Sequence, residues 1–207
     1  MTTKDATPGW TALPLLGQPP SERADAARNR RAVLSAAQTI VAERGIDALS
    51  MDVVAAAAGV GVGTVYRRFG DRAGLAYALL DDAERQFQTA FLAGPPPLGP
   101  GAPTAERIRA FLHAYADRLE LQGELLAHAE SSSPTARLHS GAYRTHRVHL
   151  AALLTEFRPD ADADYLCEAL LAVLSARLFR HQRHELGFSV ARIKAGLDQL
   201  LTGLNPV

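Results

Sequence analysis

With 207 residues, 47% of them apolar, the chain can bury a sizeable core without disulfides or a structural metal, and its single cysteine, Cys167, excludes an intramolecular bridge. Lys+Arg 22 balance Asp+Glu 22, so the overall charge identifies no partner. No basic region, apolar run and small-residue cleavage site opens the sequence. Asp, Arg, His or Glu interrupts every hydrophobic segment before the roughly 20 residues a bilayer-spanning helix needs, so the expected setting is the cytoplasm, away from membrane. Charge placement says more than its total. Residues 23–72 hold eight bases (Arg23, Arg28, Arg30, Arg31, Arg44, Arg67, Arg68, Arg72) and five acids (Asp25, Glu43, Asp47, Asp52, Asp71), a net +3 that leaves the remainder acidic. A small nucleic-acid-binding head on an acidic body has this asymmetry.

The opening stretch contains Pro8, Gly9, Pro14, Gly17, Pro19 and Pro20, which sustain neither helix nor strand, so 1–22 is expected to be a flexible tail. From about Ala24, Val33, Ala37, Ile40 and Val41 recur at helical spacing, and Gly45 follows Arg44 as a stop. Ser50 can cap a short second helix that buries Val54, Ala55 and Ala58. Gly59 then supplies the positive φ of a sharp turn, and a third helix runs from about Val62 to Arg68. Asp71 can cap a long fourth helix with Leu75, Leu79, Ala83, Phe87 and Phe91 on one face, ended by the Pro- and Gly-rich stretch 94–103. The next helix starts at Thr104 with Ile108, Phe111, Leu112, Tyr115 and Leu119 aligned, and a shorter piece follows around Leu125 and Leu126. Ser131, Ser132, Ser133 and Pro134 punctuate the chain. Further helices are predicted from Pro134 to Phe157, ended by Pro159, from about Asp162 to His184, and from Ser189 onward, the last with Val190, Ile193, Leu197, Leu200, Leu201 and Leu204 as a packing stripe. The expected fold class is all-α, without strands or internal repeats.

The most informative segment runs from Leu49 to Leu75. A helix-turn-helix needs a small residue where its helices touch, a residue tolerant of positive φ in the turn, and apolar anchors for the second helix. Ala55, Gly59, and Val60 with Val65 and Phe69 meet these needs in order. A second helix docked in a major groove offers its leading turn to base edges and its amide dipoles to phosphate, and Val62, Gly63, Thr64 and Tyr66 occupy that position.

Over residues 27–76 the sequence closely resembles the DNA-binding domain of the TetR family. The likeness rests on the turn Ala58-Gly59-Val60, the triplet Thr64-Val65-Tyr66, Phe69, the base at Arg72 and Leu75. Position by position, the resemblance implies that Ser50 and Thr64 are phosphate ligands, that Tyr66 contacts phosphate or a base edge, and that Arg72 clamps a phosphate at the start of the fourth helix. Arg72 replaces the family's more usual lysine, and a guanidinium still holds phosphate. Gly61 and Gly63 leave the reading helix few side chains. Val62 and the Thr64 methyl fit a thymine methyl, and Arg67 fits either a guanine edge or phosphate. Arg28, with Arg23, Arg30 and Arg31, is expected to extend the contact into a minor groove or onto phosphates, with an ordinary solvated helix face as the alternative for Arg30 and Arg31.

The resemblance further implies domains at 23–71 for a three-helix DNA-binding head and 72–207 for a helical-bundle body that binds ligand and dimerises. Candidate chamber residues are Phe87, Phe111, Tyr115, Leu126, Tyr143 and His146, for each of which core packing is the alternative. Leu170, Leu174, Leu178, Ile193, Leu197 and Leu200 are candidates for the homodimer interface, with the alternative that they cover the body's own core. A two-fold dimer would place its half-sites about 34–36 Å apart, or a multiple of that. The pairs His146–His149 and His181–His184 lack a third ligand at fixed spacing and have arginine neighbours, so they are expected on a solvated or interface face, with no metal and no cofactor. His113 and Asp117 fit a helix-surface pair, and Cys167 a buried apolar position. The expected function is a ligand-responsive repressor, not an enzyme, with double-stranded DNA and a small-molecule effector as partners. The alternative is a helical ligand-binding or enzymatic protein whose head no longer binds DNA.

Overall fold

The computed structural model describes residues 21–130 and 136–204, so the expected tail up to residue 20 and the punctuation at 131–134 lie outside the described residues. Every regular element among them is helical: α1 (Ser21–Arg44), α2 (Met51–Ala58), α3 (Val62–Phe69), α4 (Arg72–Ala93), α5 (Thr104–Glu130), α6 (Ala136–His139), α7 (Gly141–Phe157), α8 (Ala163–Val173), α9 (Ala176–Arg180) and α10 (Val190–Gly203). A single 3-10 turn, Ile46–Ala48, joins α1 to α2, and a π-helical turn, His181–Glu185, prolongs α9.

The caps follow local chemistry. The Ser50 hydroxyl accepts from the Val53 amide at 3.2 Å, and Asp71 accepts from Gly74 at 2.8 Å. Each satisfies an amide that the first helical turn leaves orphaned. Three expectations about the body need correction. α5 runs unbroken through Leu125 and Leu126, which lie in the same helix as Tyr115 and Leu119; within it Gly123 is buried against α9, where an added Cβ would stand 3.8 Å from Arg180 Cγ. The helix expected from Pro134 to Phe157 is broken at Ser140, whose hydroxyl donates to the Arg137 carbonyl at 2.8 Å and accepts from the Tyr143 amide at 3.1 Å, closing α6 and opening α7. The helix expected from Asp162 to His184 is broken at Ser175, which takes an extended conformation and caps α9 by accepting from Leu178 at 3.4 Å. Sequence periodicity continues across both breaks, so it did not reveal them.

Two apolar clusters organise the packing. In the head, Val33, Ala37 and Ile40 of α1 enclose Val54 and Ala55 of α2, Val65 of α3 and Leu75 of α4. Leu125 of α5 belongs to the same cluster, so the head core closes onto a helix of the body. In the body, α5 is the central helix, packed against α4, α7, α9 and α10, with Phe91, Ile108, Phe111, Leu112, Leu150 and Leu171 fully buried. Its contact with α10 is also polar. Arg109 is bidentate to Asp198 at 2.8 and 2.9 Å, His113 stands 2.8 Å from Asp198, and Lys194 is 2.6 Å from Asp117. The expected His113–Asp117 surface pair is therefore replaced by two separate pairs, each reaching across to α10, because α10 brings partners of opposite charge to both residues.

Candidate nucleic-acid interface and effector chamber

The turn between α2 and α3 fixes how α3 is presented. Gly59 lies at φ 66 and ψ 31 and closes α2: its amide bonds the Ala56 carbonyl at 3.3 Å and the Val60 amide bonds Ala55 at 3.0 Å. This Schellman arrangement needs a left-handed residue, which favours glycine over any side chain. α3 is then held from one side only. Val65 is fully buried against the head core, whereas Val62 is 39% and Tyr66 48% exposed. Gly63, Arg67 and Arg68 are exposed and Thr64 is half-buried. No side chain caps the α3 N-terminus at Gly61, and an added Cβ at Gly63 would meet nothing within 4 Å. The leading turn thus offers orphan amides and an unobstructed backbone to an approaching phosphate.

The remaining expected contacts are placed as follows. Ser50 uses its oxygen as acceptor for the α2 cap, so its O–H stays available as a donor. Arg72 does not stand free: it donates to the Ile46 carbonyl at 2.7 Å and lies 3.5 Å from the Asp47 carboxylate, tying α4 to the turn before α2, while its side chain remains 51% exposed. Arg28 is exposed on α1 and pairs with Asp25. Arg30 reaches Asp82 of α4 at 3.0 Å, which takes it out of the set of free bases. Sequence reasoning missed Gly74. A Cβ there would fall 2.0 Å from the Phe69 carbonyl oxygen, so the end of α3 can approach the start of α4 only because residue 74 has no side chain.

In the body, α4, α5 and α7 border a cavity of about 650 Å³. Tyr115, Leu126, Tyr143 and His146 line it, as expected, together with Glu84, Arg118 and Arg137; Phe87 and Phe111 do not, and instead pack in the body core. Glu84 is the hub. Its carboxylate is 2.7 Å from Arg118, 2.8 Å from His146 Nε2, and accepts from Gln88 at 2.7 Å. Burial alone would raise the Glu84 pKa, but the His146 contact and the Arg118 charge outweigh it and hold the carboxyl below its usual value. His146 is 1% exposed, so the expected solvated face is corrected for this residue: a buried ion-pair network holds it. Its neighbour His149 is pushed down to about 4 by burial, with the Arg107 and His146 charges adding. Tyr143 donates to Glu168 at 2.5 Å, and burial and that bond raise its pKa to about 12. Cys167 is fully buried, which raises its thiol to about 12. Among the described residues no cluster of three or more His, Cys, Asp or Glu side chains could hold a metal, and no helix is long and apolar enough to cross a membrane.

Four of the six residues expected at a dimer interface, Leu170, Leu174, Ile193 and Leu197, lie in the subunit core, at most 9% exposed, where the helix stripe meets α5 and α7. Leu178 is half-buried and Leu200 is 50% exposed.

Residues 33–79 match the family described as bacterial regulatory proteins, tetR family. Two curated relatives are HTH-type transcriptional regulators of Staphylococcus aureus. SAB2452 is 33% identical over 69 residues, covering 33% of this chain and 37% of that protein; SAR2658 is 23% identical over 179 residues, covering 81% and 89%. Among solved structures, a TetR-family transcriptional regulator from Pectobacterium atrosepticum has a TM-score of 0.64 at 22% identity, covering 89% of this chain and 98% of its own. A transcriptional regulator from Saccharomonospora viridis, solved in complex with choline, has a TM-score of 0.67 at 19% identity over 85% and 96%.

Proposed function

We propose that the chain is a member of the TetR family of bacterial regulatory proteins, a DNA-binding class of transcriptional regulators, and that it acts as a homodimeric repressor whose α3 reads a palindromic operator and whose body binds a releasing effector. The observation that carries this reading is the outward leading turn of α3, with Tyr66 and Val62 exposed while Val65 anchors the helix from behind. Ser50, Thr64 and Tyr66 are the phosphate and groove contacts, with Val62 and Gly63 against the base edges and Arg67 on a guanine edge or backbone. Arg72 and Arg28 add charge at the margins. Each is already engaged within the subunit, but a guanidinium has five N–H donors and can hold a phosphate besides.

The body supplies the control. The Saccharomonospora regulator of the same fold was solved in complex with choline, which supports a small-molecule partner for this chain. An effector that prefers one separation of the two heads shifts the population away from the operator-binding state. The heads are joined to the chamber by α4, which carries Asp82 against Arg30 of the head and, two residues on, Glu84 in the chamber. Outward Leu200 and half-buried Leu178 provide apolar surface for a partner subunit. Retardation of the DNA upstream of the protein's own gene tests the reading: the native chain retards it, raised salt abolishes the shift, and Tyr66→Ala weakens it at least tenfold. Equal retardation by native chain and variant would refute the assignment of α3.

A further inference from the structure

Resting on the reading of Arg72 as a phosphate contact, we infer that Glu124 of α5 is a positioning residue for DNA binding: it holds Ile46, and Ile46 holds the Arg72 guanidinium ready for the phosphate backbone. The turn that begins at Ile46 cannot cap itself. Its N-cap, Gly45, lies at φ 76, a conformation that favours glycine, and glycine has no side chain with which to accept from the amides that follow. The acceptor comes from the body instead. Glu124 lies 78 residues further along the chain, and its Oε2 accepts from the Ile46 amide at 3.4 Å and would stand 3.9 Å from a Cβ added at Gly45. The segment of α5 that carries it is fixed on the head, because the next residue, Leu125, is 4% exposed within the head core.

Ile46 passes that support on through its carbonyl, which accepts from the Leu49 amide at 3.0 Å and from Arg72 Nη2 at 2.7 Å. The Asp47 carboxylate stands 3.5 Å from the same nitrogen. Among the described residues no hydrogen bond engages Arg72 Nε or Nη1, and a guanidinium is planar, so fixing Nη2 also orients the N–H groups that are left for a phosphate. Ordering a side chain of this length before the DNA arrives removes a cost equivalent to roughly two- to tenfold in affinity. A contact of the body is thereby built into the DNA-binding face through a single intervening residue.

Retardation of the DNA upstream of the protein's own gene by full-length Glu124→Gln and Glu124→Ala tests this, because both substitutions remove the same charge and only Glu124→Gln keeps an oxygen that can accept from Ile46. Glu124→Ala should bind at least threefold more weakly than Glu124→Gln. Arg72→Ala should weaken binding at least threefold and lower the slope of log affinity against log salt by about one, and in its background Glu124→Ala and Glu124→Gln should bind equally. In the free protein, nuclear magnetic resonance should show the Ile46 amide exchanging at least threefold faster, and the Arg72 Nε–H signal displaced, in Glu124→Ala but not in Glu124→Gln. Equal retardation by Glu124→Ala and Glu124→Gln, a difference that persists in Arg72→Ala, full affinity in Arg72→Ala, or Ile46 and Arg72 signals indifferent to Glu124→Ala overturns the inference. The two readings fail separately. Retardation that is lost in Tyr66→Ala but equal in Glu124→Ala and Glu124→Gln refutes the positioning alone, whereas signal changes confined to Glu124→Ala in a chain that retards no DNA uphold the hold on Arg72 and refute the regulator.

Discussion

Tyr66 and Val65 are neighbours in sequence with opposite fates, and the contrast separates recognition from stability. Val65 is fully buried and Tyr66 is 48% exposed. Tyr66→Ala should therefore change the folding free energy by no more than about 0.5 kcal/mol, as is usual for surface substitutions, while DNA affinity falls at least tenfold. Urea denaturation beside a retardation titration reads both. A second residue sets a pH dependence. Burial lowers the His149 pKa from 6.5 to about 4, so between those values the unfolded chain binds a proton that the native state refuses. Its contribution is complete above about pH 6.5 and is lost as the pH falls toward 4. Denaturation curves at pH 7.5 and pH 5 should show a loss of stability that His149→Gln reduces. Glu84 adds little between the two measured pH values, because both its ordinary value of 4.5 and its lowered native value lie below pH 5. Residue types and spacing made Ser50, Gly59, Val65 and Asp71 legible, since each serves neighbours within a few positions. They did not reveal that Arg72 turns back onto Ile46, that His113 prefers Asp198, or that His146 is enclosed by Glu84 and Arg118, because those partners lie 26 to 85 residues away.

At the scale of elements, two glycines make opposite predictions. Gly74 leaves no room for a Cβ, which would fall 2.0 Å from the Phe69 carbonyl oxygen. Gly74→Ala should cost about 1–3 kcal/mol, as overpacking does, and should also weaken DNA binding by displacing α3 from α4. Gly123 is helical and its added Cβ would meet Arg180 Cγ at 3.8 Å, an ordinary contact. Gly123→Ala should therefore raise stability by about 0.5–1 kcal/mol, the usual helix preference for alanine, seen as a higher melting temperature. Ser140 and Ser175 break helices that the apolar pattern carries straight through. The chain order of head, linking helix and body was readable because Ser50, Asp71 and Ser189 cap helix starts with their side chains and the apolar faces repeat at helical period.

For the whole molecule, the proposed coupling of chamber to head has contacts within one subunit to run through. Leu125 of α5 closes the head core, Glu124 accepts from the Ile46 amide at 3.4 Å, and Asp82 holds Arg30. The proposed dimer would use what those contacts leave outside. The apolar stripe of α10 was visible in the sequence, but which of its leucines face inward was not, because α5 and a partner subunit make the same demand for apolar side chains. Sedimentation should report about 44 kDa, twice the 22.2 kDa chain, with Leu200→Glu shifting the protein toward monomer. The most direct test of the central claim is selection of genomic fragments by the purified native chain, repeated with Tyr66→Ala. The account predicts that the native chain enriches a few fragments sharing an inverted repeat, half-sites one helical turn or a multiple of it apart, and that the variant enriches none. Enrichment of no fragment by the native chain, or of the same fragments equally by the variant, would contradict it.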